Sequence, residues 1–141
     1  MKLATPLRAL GLAGVLSAGP AGADIVTVVS ADNPVGTLTR SEVSNIFLGK
    51  TRQFPDGRPA LPIDQPEGSP KRTAFYTAIS NKQAAELKAY WSKMIFTGRG
   101  QPPPIVDNDE AVKARLARQP NAIGYIDDAA LDARVNAVAV R

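Results

Sequence analysis

Ala60-Leu61-Pro62-Ile63-Asp64-Gln65-Pro66-Glu67-Gly68-Ser69-Pro70-Lys71-Arg72 reads as a short strand, a tight turn and the start of a helix. Residues 60–64 are mostly apolar and are bounded by turn formers, the pattern of a brief buried strand. Ser69 is an N-cap residue, and Pro70 follows at the first helical position, where its missing N–H costs nothing. Lys71 and Arg72 then fall in the first turn, where the positive end of the helix dipole disfavours a cation by about 0.3–1 kcal/mol. An anion bound at the cap turns that repulsion into attraction. Gly68, Ser69, Lys71 and Arg72 are therefore a candidate oxyanion site. The competing reading is that the two cations reach solvent or pair with Glu67. Asp64 and Glu67 flank the turn as a candidate acid/base pair, although two acids beside two cations are more simply neutralised by Lys71 or Arg72.

Working outward, residues 25–29 are an uninterrupted β-branched strand, and Asp32-Asn33-Pro34 is a turn. Thr39 and Glu42 form a capping box, with Leu38 placed to staple against Val43. Val43, Ile46 and Phe47 are the buried face of the helix so started, and Gly49 ends it. Residues 51–59 are a loop. Beyond Arg72, Phe75 and Ile79 lie one turn apart on the buried face of the second helix. A third helix is predicted from about Asn81 to Phe96, with Ala84, Leu87, Trp91, Met94 and Ile95 as its core stripe. Gly98, Gly100 and Pro102 to Pro104 form a stiff loop, and Asp107 with Glu110 is a further capping-box candidate. The fourth helix carries Val112 and Leu116 and stops before Pro120. Residues 122–126 and 135–140 read as closing strands. Strands separated by helices argue for an α/β domain with a largely parallel sheet. Trp91, Tyr90 and Tyr125 read as core residues.

The first 23 residues read as a cleavable secretory signal peptide. Lys2 and Arg8 supply the charged start, residues 9–18 a short apolar run, and Ala21-Gly22-Ala23 a cleavage site. A run of that length is half of what a spanning helix needs. The mature domain, residues 24–141, is expected to be soluble and periplasmic in a Gram-negative cell. Losing Lys2 and Arg8 leaves 15 of the 17 basic residues against 13 acidic ones, a net charge of +2. A basic nucleic-acid footprint is missing. The chain has no cysteine and no histidine, which removes disulfide staples, common hydrolase triads and zinc sites. No enzyme activity, metal or cofactor is expected.

The series Ile46-Phe47-Leu48-Gly49-Lys50, Asp64, Glu67-Gly68-Ser69 with Arg72 and Phe75, and Ala122-Ile123-Gly124-Tyr125-Ile126 resembles the periplasmic phosphate-binding proteins of ABC importers, in the same order along the chain. The resemblance is closest to short members of that family. It implies a single lobe of the type II periplasmic-binding-protein-like fold, with a mostly parallel sheet flanked by helices. It also implies inorganic phosphate or a related oxyanion as ligand, an ABC permease as partner, and a non-enzymatic role in uptake. The family's longer members carry Arg-Ser-Asp-Gly-Ser-Gly-Thr at this loop. Here Gln65 stands in the arginine's place, Pro70 removes a backbone donor and Lys71 replaces the threonine. With one lobe instead of two, the other wall of a ligand site has to come from a homodimer, or binding is weak. The alternative is an interaction module that kept the fold and lost the ligand.

Overall fold

The β-branched run that opens the domain is strand β1 (Ile25–Ser30), buried from Thr27 onward. The computed structural model describes residues 24–141, so the expected signal peptide lies outside the described residues. After β1 come the two-residue strand β2 (Thr37–Leu38) and helix α1 (Arg40–Phe47). The capping box predicted for α1 is present: Glu42 N–H donates to Thr39 Oγ1 at 3.0 Å and Thr39 N–H to Glu42 Oε1 at 2.8 Å. Then follow strand β3 (Leu61–Pro62) and helices α2 (Pro70–Ser80), α3 (Ala84–Phe96) and α4 (Asp109–Arg118). The chain closes with strand β4 (Ala122–Asp127), a 3-10 turn at Asp128–Ala130, and strands β5 (Val135–Ala137) and β6 (Ala139–Val140).

The main sheet has the order β3-β4-β1-β5, and β2 pairs with β6 in a separate parallel ribbon. The mixed α/β class is as expected, but the strand directions are not mostly parallel. Within the main sheet, β1 runs antiparallel to both of its neighbours, β4 and β5, and only β3 and β4 are parallel. The physical reason is the path of the chain. Parallel neighbours arise when a helix returns the chain to the same end of the sheet, as α2 to α4 do between β3 and β4. The β4 and β5 strands instead bracket β1, linked by the 3-10 turn and the loop after it.

Alternation along β1 and β4 divides the core between the two sheet faces. Val29, Ile123 and Tyr125 pack with Phe47, Phe75 and Tyr76 from α1 and α2. Val28 and Ile126 pack with Val112 and Leu116 from α4. Gly124 lies on the α4 face, where a Cβ would sit 2.7 Å from Val112 Cγ1. That glycine lets α4 settle close against the sheet.

Four local expectations shift. The third helix begins at Ala84 rather than near Asn81, because Asn81 takes a left-handed conformation (φ 57°) and closes α2. Its predicted apolar stripe is only half used: Leu87 and Trp91 are buried, whereas Ile95 is 49 % exposed and the adjacent Phe96 is 91 % exposed. The α4 cap is Asn108, which accepts from Ala111 N–H at 2.9 Å, rather than Asp107. The last strand is split at Val138, whose N–H donates to Thr27 O.

Candidate functional site

Three strand-end and turn residues decide the local geometry after β3. Gly68 takes a φ of 85°, a turn conformation that other residues adopt only with strain. Ser69 N–H then donates to Pro66 O at 3.1 Å, and Ser69 Oγ accepts from Arg72 N–H at 3.4 Å. Ser69 is thus the N-cap, with Pro70 at the first helical position as its sequence predicts.

Beneath this turn lies Asp64, 1 % exposed. Its Oδ1 accepts from Tyr125 Oη at 2.5 Å and from Gln65 N–H at 2.8 Å. Its Oδ2 accepts from Tyr76 Oη at 2.9 Å and from Arg72 Nε at 3.3 Å. The Arg72 guanidinium also lies 5.1 Å from the centre of the Tyr76 ring, a cation–π arrangement. Burial, reinforced by the charge of Asp64, pushes both tyrosine hydroxyls above their ordinary range. They stay protonated and serve as donors to the carboxylate. Phe75 stacks on Tyr125 with ring centres 4.1 Å apart and fixes its position.

A second carboxylate approaches from α4. Asp109 Oδ2 accepts from Lys71 Nζ at 2.6 Å and from Asp127 N–H at 3.1 Å, and Oδ1 accepts from Gln65 Nε2 at 2.9 Å. Gln65 is buried and also donates to Tyr125 O at 2.8 Å. Burial alone raises the Asp109 carboxyl, but the hydrogen bonds from Lys71, Gln65 and the Asp127 backbone outweigh it and hold the group below its ordinary value.

The two cations of the turn therefore have partners, and neither is Glu67. Arg72 turns inward to Asp64, and Lys71 bridges to Asp109 on another helix. A surface cavity of about 450 Å³ opens beside the turn, with Ser69 and Lys71 on one side and Asp107, Asn108 and Asp127 on the other. Of the four residues that the sequence singles out, Ser69 and Lys71 meet at this cavity; Gly68 shapes the turn and Arg72 is committed to the core beneath it. Asp64 and Glu67 do not form an acid/base pair, since Asp64 is enclosed and Glu67 is exposed. Sequence reasoning missed Asp109, Tyr76 and the bridging role of Gln65. Only the helical spacing of Tyr76 from Arg72 offered a local signal.

The fold and the turn together define a single α/β lobe with a capped helix start beside an open cavity. No protein-family model matches the sequence, and comparison with curated proteins finds no match. Solved structures do resemble it. The chain aligns over 82 % of its length with a Clostridium perfringens protein assigned as a phosphate ABC transporter substrate-binding protein and holding bound phosphate, at 28 % identity and a TM-score of 0.64. An ABC-type phosphate transport receptor from Vibrio cholerae aligns over 82 % at 18 % identity with a TM-score of 0.64. The PstS protein of Borrelia burgdorferi aligns over 83 % at 14 % identity with a TM-score of 0.62. The chain spans 44 %, 45 % and 47 % of those three proteins respectively, less than half of each. Its fold is that of a single-lobe portion of these substrate-binding proteins. Among the described residues no helix is long and apolar enough to cross a membrane.

Proposed function

We propose that this chain is a non-enzymatic, exported solute-binding lobe that takes an oxyanion, with phosphate favoured, at the start of α2. The observation that carries the reading is the open cavity where Ser69 and Lys71 meet at a strand-to-helix turn, in a lobe similar to a structure that holds phosphate. The acids on the far side do not exclude an anion that carries a proton. Phosphate at neutral pH is partly protonated and donates to a carboxylate, whereas sulfate has only acceptors to offer and is repelled by Asp107 and Asp127. Pro70 contributes no N–H, and Lys71 must be shared with Asp109, so the donor set is small.

Affinity follows from that count. Three charge-assisted hydrogen bonds at about 1.5–3 kcal/mol each, set against at least about 4 kcal/mol for immobilising the anion, leave no more than about 5 kcal/mol. That corresponds to a dissociation constant near millimolar for the monomer. Tight binding requires a second wall, from another copy of the chain or from an ABC permease that receives the ligand. Titration calorimetry with phosphate and with sulfate, combined with light scattering, tests this. Weak, salt-sensitive phosphate binding that exceeds sulfate binding and falls in Lys71→Ala is the expected result. Micromolar binding by a demonstrated monomer overturns the single-lobe argument. Intact mass of the periplasmic protein should place its N-terminus at Asp24; retention of residues 1–23 overturns export by a cleaved leader.

A second reading is favoured by the pairing of Lys71 and Arg72 with internal carboxylates and by the exposure of Phe96. In that case the lobe is an interaction module without a ligand at α2. Absence of phosphate heat in both monomer and dimer selects it.

A further inference from the structure

We propose that the cavity at the C-terminal end of α1 binds a small apolar carboxylate, a molecule with a ring-sized hydrophobic body and one carboxylate group. The cavity is about 600 Å³, within the roughly 300–1,000 Å³ range of small-molecule sites. It shares no lining residue with the cavity beside Ser69. Its apolar walls include Phe47, Trp91 and the three prolines Pro102 to Pro104. The prolines restrict the backbone, so the wall they form is already ordered before a ligand arrives.

Charge selects the class of ligand. Among the described residues, the charged ones in the lining are Arg52 and Arg99 alone. Both are exposed, and neither has a carboxylate partner among the described residues. An apolar pocket with two unpaired guanidinium groups and no acid suits a planar carboxylate, which arginine meets in a bidentate geometry. The end of α1 does not oppose this. Three of its last four carbonyls are already taken, since Leu48, Gly49, Lys50 and Thr51 N–H groups donate to Ser44, Ile46 and Asn45 oxygens.

Trp91 is the only tryptophan in the chain and lines the cavity, so its fluorescence reports occupancy directly. The purified chain is titrated with 4-phenylbutyrate, with the neutral 4-phenylbutyramide and with inorganic phosphate. A saturable one-to-one change with the carboxylate is expected, with the amide binding about tenfold or more weakly. The Arg52→Ala/Arg99→Ala double variant should lose a similar factor while melting like the parent, and Ser69→Ala should bind 4-phenylbutyrate unchanged. Absence of a saturable signal overturns the proposal. So does equal binding of acid and amide, or affinity indifferent to loss of both arginines. Displacement of 4-phenylbutyrate by phosphate that disappears in Ser69→Ala would move the site to α2 and also overturn it. Because the proposal does not use Ser69 or Lys71, its failure leaves the oxyanion reading standing.

Discussion

Lys71 and Arg72 at the start of α2, and Arg52 and Arg99 at the α1 cavity, are similar residues in opposite states. The first two are held by carboxylates from within the fold, at 2.6 Å to Asp109 and 3.3 Å to Asp64. The second two face an apolar cavity without an acid in its lining. A cation already neutralised by its own protein contributes to an incoming anion only by giving up a partner. An unpaired cation beside an apolar wall contributes its charge at once, and only its exposure to water and salt reduces the gain. The turn that carries the family resemblance is therefore the more stabilising of the two regions, and the cavity is the less committed one.

The sharpest way to break this comparison is Asp64→Ala. It strands the buried Arg72 guanidinium and removes the acceptor for the Tyr76 and Tyr125 hydroxyls. Breaking one partner of a buried pair costs about 3–5 kcal/mol, so denaturant unfolding should show a loss of that size. A loss under about 1 kcal/mol would mean that water reaches the cluster and that Arg72 is not committed to it.

Asp109→Asn tests the second internal pair with a smaller effect, about 1–2 kcal/mol at neutral pH because Lys71 is partly exposed. The direction with pH is fixed by the lowered folded-state value of Asp109. Its ionised form is favoured in the native state, so the stabilisation is complete above the ordinary carboxylate value near 4 and is lost as pH falls through the lower folded value. Parent and variant should differ by a constant amount above about pH 5 and converge in acid. The same variant frees Lys71, and phosphate affinity should rise. Unchanged phosphate affinity would show that Lys71 takes no part in anion binding.

Much of this was legible in the sequence, for reasons of distance along the chain. The Thr39 box, the Ser69-Pro70 start and the faces of α1 and α2 depend on residues within one turn of each other, and local pattern resolves them. The sheet directions depend on which strands meet in space, and β1 meets β4 across nearly the whole domain. The partners of the turn were hidden for the same reason. Asp109 lies 38 residues from Lys71, and it can turn inward because Asn108 takes over the cap of α4. Ile95 shares the helical spacing of core residues, but the described residues leave it about half exposed, and the adjacent Phe96, off that stripe, is almost fully exposed.

Ser69→Ala should cost less again. The cap hydrogen bond to Arg72 N–H is 3.4 Å long, at the outer limit for such a bond, so the stability change belongs at the low end of cap substitutions, about 0.5–1 kcal/mol. Thermal unfolding in phosphate-free buffer measures it. A greater loss of phosphate affinity than that change explains would give Ser69 a ligand-binding role beyond its cap.

The smallest effect is expected where the cations have no partners. Arg52 and Arg99 are exposed and make no ion pair among the described residues. Replacing both with alanine removes no buried contact and leaves no buried group unpaired, so stability should change by no more than about 0.5 kcal/mol per site. The sign is informative. The chain carries a net positive charge, and losing two cations relieves a little mutual repulsion, so a slight gain at low salt that fades at high salt fits an unpaired pair. A clear loss, independent of salt, would mean that the guanidinium stems hold the loop at residues 98–104 by packing. In that event Arg52 and Arg99 would be structural in the same sense as Lys71 and Arg72, and the contrast between the two regions would fail at its less committed end.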